Sequence, residues 1–310
     1  MRRTVSGWRG PNLTPLCDDP NADDLGSAFA SLVLVVEADE MVDHNPQMTF
    51  RSVVKDLVPP LLVRMLRPPV PDQSQYHEFS DPYPSWAAAS AAAEGYGARQ
   101  ILAKVRDAAL KVKRGEFAYE QDSILSSVPS FKWEMLACLM SAMASSSRRP
   151  AHVIDFGGSL GSLYYRHRPF IGETQWSIVE QPTFVDCGNR EFADERLKFY
   201  PSLTLALERG PADVILCASV LQIIERPFEL LQAAAKARIP FLLIDRLPLY
   251  DVPADAIVVL RVKETIYKAD LPYHRFAKDQ FERQLTGTGW EAMLRYENDK
   301  RFGLFCRLQA

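Results

Sequence analysis

The sequence has no apolar run of membrane-spanning length near its N-terminus. The longest there is AFASLVLVV, residues 28–36, about half of the ~20 residues a spanning helix needs. Arg2 and Arg3 precede it, but Asp18, Asp19, Asp23 and Asp24 intervene and no small-residue cleavage site follows. Neither a signal peptide nor stable membrane insertion is expected. An excess of one charge is also missing. Thirty-six basic against thirty-nine acidic residues leave a net charge of -3, a balance in which nothing suggests a generic nucleic-acid binder. Cysteine is sparse: Cys17, Cys138, Cys187, Cys217 and Cys306 are an odd set without a C-x-x-C pair. That usage fits reduced thiols in a cytoplasmic protein. The five histidines show no ligand spacing, so no protein-bound metal is expected. What is present is ordinary globular material: 310 residues, 47% hydrophobic and 24% charged, enough for a sizeable core in one large domain or two modest ones.

Composition divides the chain near residue 150. Residues 1–45 are acidic and turn-rich, and read as a poorly ordered extension. Residues 46–147 read as a smaller helical domain. Apolar positions recur at helical spacing over Thr49–Leu66, where Pro59 and Pro60 interrupt them, and a turn-rich patch spans Pro68–Pro84. Ser85 caps a helix from Trp86 that Gly95 and Gly97 end; further helices are expected over Arg99–Arg114 and Phe131–Met143. After Pro150 short β-rich runs alternate with helices. Val153–Phe156, Trp176–Val179, Leu197–Tyr200, Val214–Ala218 and Phe241–Ile244 are the expected strands, with a helix over Phe228–Ala237. The alternation predicts an α/β fold, a Rossmann-like, doubly wound, mostly parallel sheet over residues 150–310. Trp290–Tyr296 and Phe302–Leu308 read as an antiparallel C-terminal hairpin.

The strongest motif is VIDFGGSLG, where a buried strand runs into Gly157, Gly158 and Gly161. Glycines there let the backbone turn, approach a ligand and pack a helix on the strand. Dinucleotide and adenosyl-sulfonium sites both use such a turn. Two carboxylates favour the second. Asp155 precedes the glycines where a dinucleotide would bring its pyrophosphate, and like charges repel; beside a cationic methionine moiety the same carboxylate is favourable. Glu180 closes the next strand, placed to accept ribose hydroxyls. The plainer alternatives are a helix cap at Asp155 and a solvated strand end at Glu180.

On these residues the chain resembles class I S-adenosylmethionine-dependent methyltransferases. More closely, it is similar to a family of predicted methyltransferases encoded among bacterial surface-polysaccharide genes. The resemblance rests on DFGGSLGS at 155–162, WSIVEQPTFV at 176–185, ASVLQIIERP at 218–227, LLIDRLP at 242–248 and IYKADLPYHRF at 266–276. YPSWAAAS, GYGARQIL and GEFAYEQDS match upstream, so it covers about residues 80–310. It implies S-adenosyl-L-methionine as cofactor, with Gly157, Gly158 and Gly161 along its methionine and ribose moieties and Asp155 at its amino group. It also implies Glu180 on the ribose, Gln181 beside the adenine, and Ser219 and Val220 near the sulfonium. Many such enzymes carry an acid after the third strand, whereas Tyr200-Pro-Ser202 stands here, leaving Ser202 or a backbone carbonyl for the adenine.

Methyl transfer to a hydroxyl also requires a proton acceptor. Asp245, closing the fifth strand, is the first candidate, with a salt bridge to Arg246 as the alternative. His274, on an expected loop, is the second, with a surface histidine as the alternative. Tyr119, Glu120 and Asp122 suggest a lid over the cofactor, against ordinary helix capping. The basic positions Arg99, Lys104, Arg106, Lys111, Lys113 and Arg114 read as the solvated face of a helix. The expected activity is O-methylation of a sugar or glycan-linked acceptor. A non-catalytic cofactor-binding partner and a NAD-dependent oxidoreductase are the alternatives, the latter disfavoured by Asp155 and the missing G-x-G-x-x-G.

Overall fold

The computed structural model describes residues 77–93, 99–121, 123–262, 269–298 and 301–309. The expectations for residues 1–45, for the helix over 49–66, for Gly95 and Gly97 and for Asp122 lie outside them. The first described elements are β1 (His77–Phe79), α1 (Trp86–Ala91), α2 (Arg99–Lys113), β2 (Tyr119–Gln121), β3 (Ile124–Ser126) and α3 (Trp133–Ser145). Ser85 caps α1 as expected, its hydroxyl accepting from the Ala88 amide at 3.2 Å.

From His152 strands and helices alternate. They are β4 (His152–Phe156), α4 (Ser162–Ile171), β5 (Gln175–Val179), α5 (Pro182–Glu191), β6 (Leu197–Tyr200), α6 (Leu203–Leu207) and β7 (Val214–Ala218). A 3-10 turn over Leu221–Ile223, α7 (Pro227–Lys236) and β8 (Phe241–Leu247) follow. The chain then makes β9 (Leu249–Tyr250), β10 (Ala256–Val262), β11 (Ala269–Ala277), α8 (Lys278–Gly287), β12 (Trp290–Asn298) and β13 (Arg301–Leu308).

Seven strands form the main sheet in the order β12-β13-β8-β7-β4-β5-β6. The pairs β4–β5, β5–β6, β4–β7 and β7–β8 are parallel, while β13 runs antiparallel to β8 and to β12. The fold is therefore the doubly wound, mostly parallel α/β sheet with an antiparallel C-terminal hairpin. Strand order reverses at β4, which has β5 on one side and β7 on the other. A crevice opens at such a switch point, outside the carboxyl ends of the strands.

Strand periodicity builds the two faces. Val153 of β4 joins one core with Trp176, Tyr164 and Leu197, and Ile154 joins the other with Ile215, Leu231, Leu242 and Phe281. Ile101 and Val105 of α2 and Met135 and Leu139 of α3 belong to the first of these cores. The described part of the helical region expected over 46–147 thus packs on the sheet itself.

A second sheet, in the order β1-β10-β11-β9, has no counterpart among the expected strands. Pro272 hides β11, because proline cannot donate to a ladder and reads as a loop; it pairs opposite Val259. His274 therefore lies on a strand, opposite Ile257, and not on the expected loop.

Candidate functional site

A cavity of 540 Å³ occupies the crevice, lined from the ends of β4, β5, β7 and β8 and from β2 and α4. It collects Asp155, Gly157, Gly158, Glu180, Gln181, Ser219, Val220 and Asp245 from the residues singled out in the sequence. Ser202 lines it as well, while its hydroxyl caps α6 by accepting from the Leu205 amide at 3.2 Å.

Asp155 is 1% exposed. Its Oδ2 accepts from the Trp176 indole at 3.1 Å, and its Oδ1 is buried with no partner among the described residues. Burial pushes the carboxyl up to about 7; the indole bond opposes that and the nearby Glu180 charge adds to it. A buried carboxylate oxygen without a donor is costly to an empty site and ready for a cationic one. Glu180 is also raised by burial, and its Oε2 accepts from the Gln181 amide at 2.7 Å.

The glycines are required at close quarters. A Cβ on Gly158 would lie 2.5 Å from Asp155 Oδ2, and one on Gly157, where φ is +73°, would overlap Val220 from the loop after β7. Both make room for protein neighbours that shape the cavity. Gly161 is not on the cavity wall; at φ +97° it opens α4 as its N-cap. Ser159, Ser219 and Arg246, all at the wall, also take left-handed backbone, with φ of 54°, 54° and 55°. Non-glycine residues adopt that region infrequently, and its clustering here marks a site.

Asp245 sits within β8, which runs three residues beyond the expected Ile244. Phe302 pairs with Leu247 but Leu304 pairs with Ile244, so Asp245 and Arg246 together oppose Gly303. Such a bulge re-aims a side chain. Asp245 is 4% exposed; its Oδ1 accepts from the Tyr296 hydroxyl at 2.8 Å, and its Oδ2 is buried without a partner among the described residues. A Cβ on Gly303 would overlap the Tyr296 ring, its cross-strand neighbour. The bare backbone of Gly303 thus lets the tyrosine reach the carboxylate.

His274 is not brought to the cavity. Its ring stacks between Trp86 and Phe276, at 4.6 and 5.2 Å, and its Nε2 donates to the Ile224 carbonyl at 3.1 Å. Burial lowers its pKa, and it supports the wall from behind. Glu120 does reach the cavity, accepting from the Ser162 hydroxyl and from the Ser123 amide. Arg106 of the basic stripe pairs with Glu191 at 2.6 Å, and Lys113 donates to the Glu191 carbonyl.

Three residues at the site carry no signal in the sequence. Trp176 reads as one more core aromatic, Arg166 as a charge on an amphipathic helix, and Tyr296 as part of a distant hairpin. Among the described residues no cluster of side chains is arranged to hold a metal ion.

No protein-family model matches the chain, and no curated protein does. Solved structures similar in part include the glycopeptide N-methyltransferase MtfA complexed with S-adenosyl-L-methionine, at 11% identity and TM-score 0.42, over 57% of this chain and 94% of that one. The N-terminal domain of EvdMO1 with S-adenosylhomocysteine bound is 12% identical with TM-score 0.42, over 68% and 96%. An S-adenosylmethionine-dependent methyltransferase from Clostridium acetobutylicum ATCC 824 is 11% identical with TM-score 0.40, over 58% and 93%. At this distance the likeness assigns no role to any residue here.

Proposed function

We propose that this chain is a cytoplasmic S-adenosylmethionine-dependent methyltransferase that O-methylates a sugar or glycan-linked acceptor. One observation carries the reading. The switch-point cavity holds two buried carboxylates, Asp155 and Asp245, and each keeps one oxygen without a partner among the described residues. The first stands beside the glycine turn, where it suits the ammonium of the cofactor; Glu180 at the tip of β5 suits ribose hydroxyls. Gly157 and Gly158 make room there for Val220 and for the Asp155 carboxylate itself. When bound, S-adenosylmethionine supplies a methyl group already activated on a sulfonium.

The chain supplies placement, exclusion of water and a proton acceptor. Asp245 Oδ2 is the acceptor atom, with Tyr296 fixing the other oxygen so that the carboxylate presents one edge. A hydroxyl directed at Oδ2 gives up its proton there as it is alkylated. Ser219 and Val220 follow β7 and line the same cavity, and the Ser219 amide donates to the Asp245 backbone carbonyl at 2.9 Å. Cys138, Cys187, Cys217 and Cys306 are buried free thiols, which supports a reducing compartment.

Calorimetric titration with S-adenosylhomocysteine, with NAD as control, tests the cofactor on wild type and on Glu180→Ala. Saturable binding of the adenosyl ligand, weakened by the substitution, is expected; binding of NAD in its place overturns the reading. Methyl transfer across a panel of sugar and glycan acceptors then tests the reaction. Binding without transfer would point to a non-catalytic cofactor-binding partner.

A further inference from the structure

Charge sorts the cavity wall into two sets. In one, Asp155 and Glu180 act on each other. In the other, the charged side chains that act on Arg166 of α4 are Arg246, Asp245 and Glu120. Arg166 is 7% exposed, and each hydrogen bond it makes among the described residues goes to a neutral group. Its Nε donates to the Ser130 carbonyl at 2.5 Å, one terminal nitrogen to the Ser130 hydroxyl at 3.1 Å, and the other to the Gln121 amide oxygen at 3.4 Å. The guanidinium also lies 3.9 Å over the Tyr119 ring. These contacts fix the side chain and use three of its five N–H groups. Each terminal nitrogen keeps one, the fork that matches an oxyanion.

The neighbouring acids do not fill that fork. Glu120 accepts from the Ser123 amide and from the hydroxyl of Ser162, which shares a face of α4 with Arg166 one turn on. Asp245 accepts from the Tyr296 hydroxyl and keeps Oδ2 for the reacting hydroxyl. Among the described residues no carboxylate forms an ion pair with Arg166. A buried guanidinium without a directly bonded anion is costly, and a bound one relieves it. The charge balance of the set points the same way. Glu120 and Asp245 offset the two arginines only while Asp245 is ionised. Once Asp245 takes the hydroxyl proton, one positive charge is left over, and an oxyanion on the acceptor answers it.

We propose that the acceptor is anionic: its carboxylate or phosphate group docks on the Arg166 fork while the hydroxyl to be methylated faces Asp245 Oδ2. This rests on the methyltransferase reading above and narrows its acceptor to a sugar acid or a sugar phosphate. Gln121, Ser130 and Tyr119 are positioning residues that hold the guanidinium.

Calorimetry on the S-adenosylhomocysteine complex compares glucuronate and glucose 6-phosphate with glucose, on wild type, Arg166→Gln and Arg166→Lys. Wild type should bind at least one charged sugar on the order of 30-fold more tightly than glucose. The better of the two identifies the oxyanion as carboxylate or phosphate. Arg166→Gln should lose that preference and still bind S-adenosylhomocysteine as wild type does, which also shows that the variant is folded. Arg166→Lys, with the charge but not the fork, should fall between. A wild type that prefers neither charged sugar overturns the proposal, as does an Arg166→Gln variant that keeps the preference. Loss of S-adenosylhomocysteine together with the sugars would make Arg166 structural and overturn it too. Failure of wild type to bind S-adenosylhomocysteine is a separate result: it overturns the adenosyl reading, and the proposal falls with it.

Discussion

The Trp176 indole donates to one oxygen of Asp155 at 3.1 Å and leaves the other, buried, without a partner among the described residues. A carboxylate held this way is fixed in direction yet short of donors. Its folded pKa, near 7, stands well above the ordinary 3.8. Between those values the folded state binds more protons than the unfolded one, so the ligand-free protein loses stability as pH rises from about 4 to about 7. Asp155→Asn keeps the indole's acceptor and removes that cost. The variant should be more stable than wild type at pH 8, on the order of 2–4 kcal/mol, and should no longer bind S-adenosylhomocysteine. Urea midpoints at pH 5 and pH 8 check this: the gain should shrink at the lower pH.

The same titration appears in ligand binding. An ammonium beside Asp155 favours its ionised form, so affinity for S-adenosylhomocysteine should fall by up to about tenfold per pH unit below 7 and level off above it. Calorimetry across pH 5.5 to 8.5 reads the profile; an affinity flat across that range would separate Asp155 from the ligand.

Gly158→Ala brings a Cβ to 2.5 Å from Asp155 Oδ2. Either the turn or the carboxylate must move. Adenosyl binding should fall at least tenfold while far-UV circular dichroism stays native. Gly210→Ala, where a Cβ meets nothing within 4 Å but φ is +141°, controls for backbone strain alone and should leave binding intact.

Tyr296→Phe removes the described donor to Asp245 Oδ1, at an expected cost of about 1–3 kcal/mol. Gly303→Ala pushes the same ring aside and should cost a similar amount. Because both act on one contact, the double variant should lose less than the sum. Denaturant melts of the four proteins in this cycle give the coupling.

His167 is buried as the neutral imidazole: Nδ1 donates to the Leu163 carbonyl at 3.0 Å and Nε2 accepts from the Lys132 amide at 3.2 Å. Burial lowers its pKa to about 4. The unfolded chain therefore binds the extra proton between pH 6.5 and 4, and stability falls as pH falls across that window, on the order of 3 kcal/mol. His167→Gln should flatten that acid limb in melts recorded from pH 7 to pH 4.

The parallel half of the fold is legible in the sequence because β4 to β8 are short, mostly apolar runs, as strands largely buried on both faces tend to be. Asp155, Glu180 and Asp245 are legible for a related reason: each is a lone acid at the end of such a run. β11 escapes notice because Pro272 breaks its pattern, and His274 is misplaced with it. Arg166, Trp176 and Tyr296 escape because their roles are set by tertiary contact. Tyr296 meets a carboxylate 51 residues away in the chain, and no local spacing encodes that.

The bulge at Asp245 and Arg246, opposed by Gly303, has a consequence for the order in which a ribosome builds this protein. The turn at Gly157, the tip of β5 and the Trp176 brace are all made before Asp245 emerges. Tyr296 and Gly303 come later still, and β13 can insert beside β8 only after both are translated. A nascent chain halted before residue 290 would carry the wall around Asp155 without the tyrosine that orients Asp245. The wall around Asp155 and the orientation of Asp245 are completed at different moments of biosynthesis, and only the second waits for the hairpin.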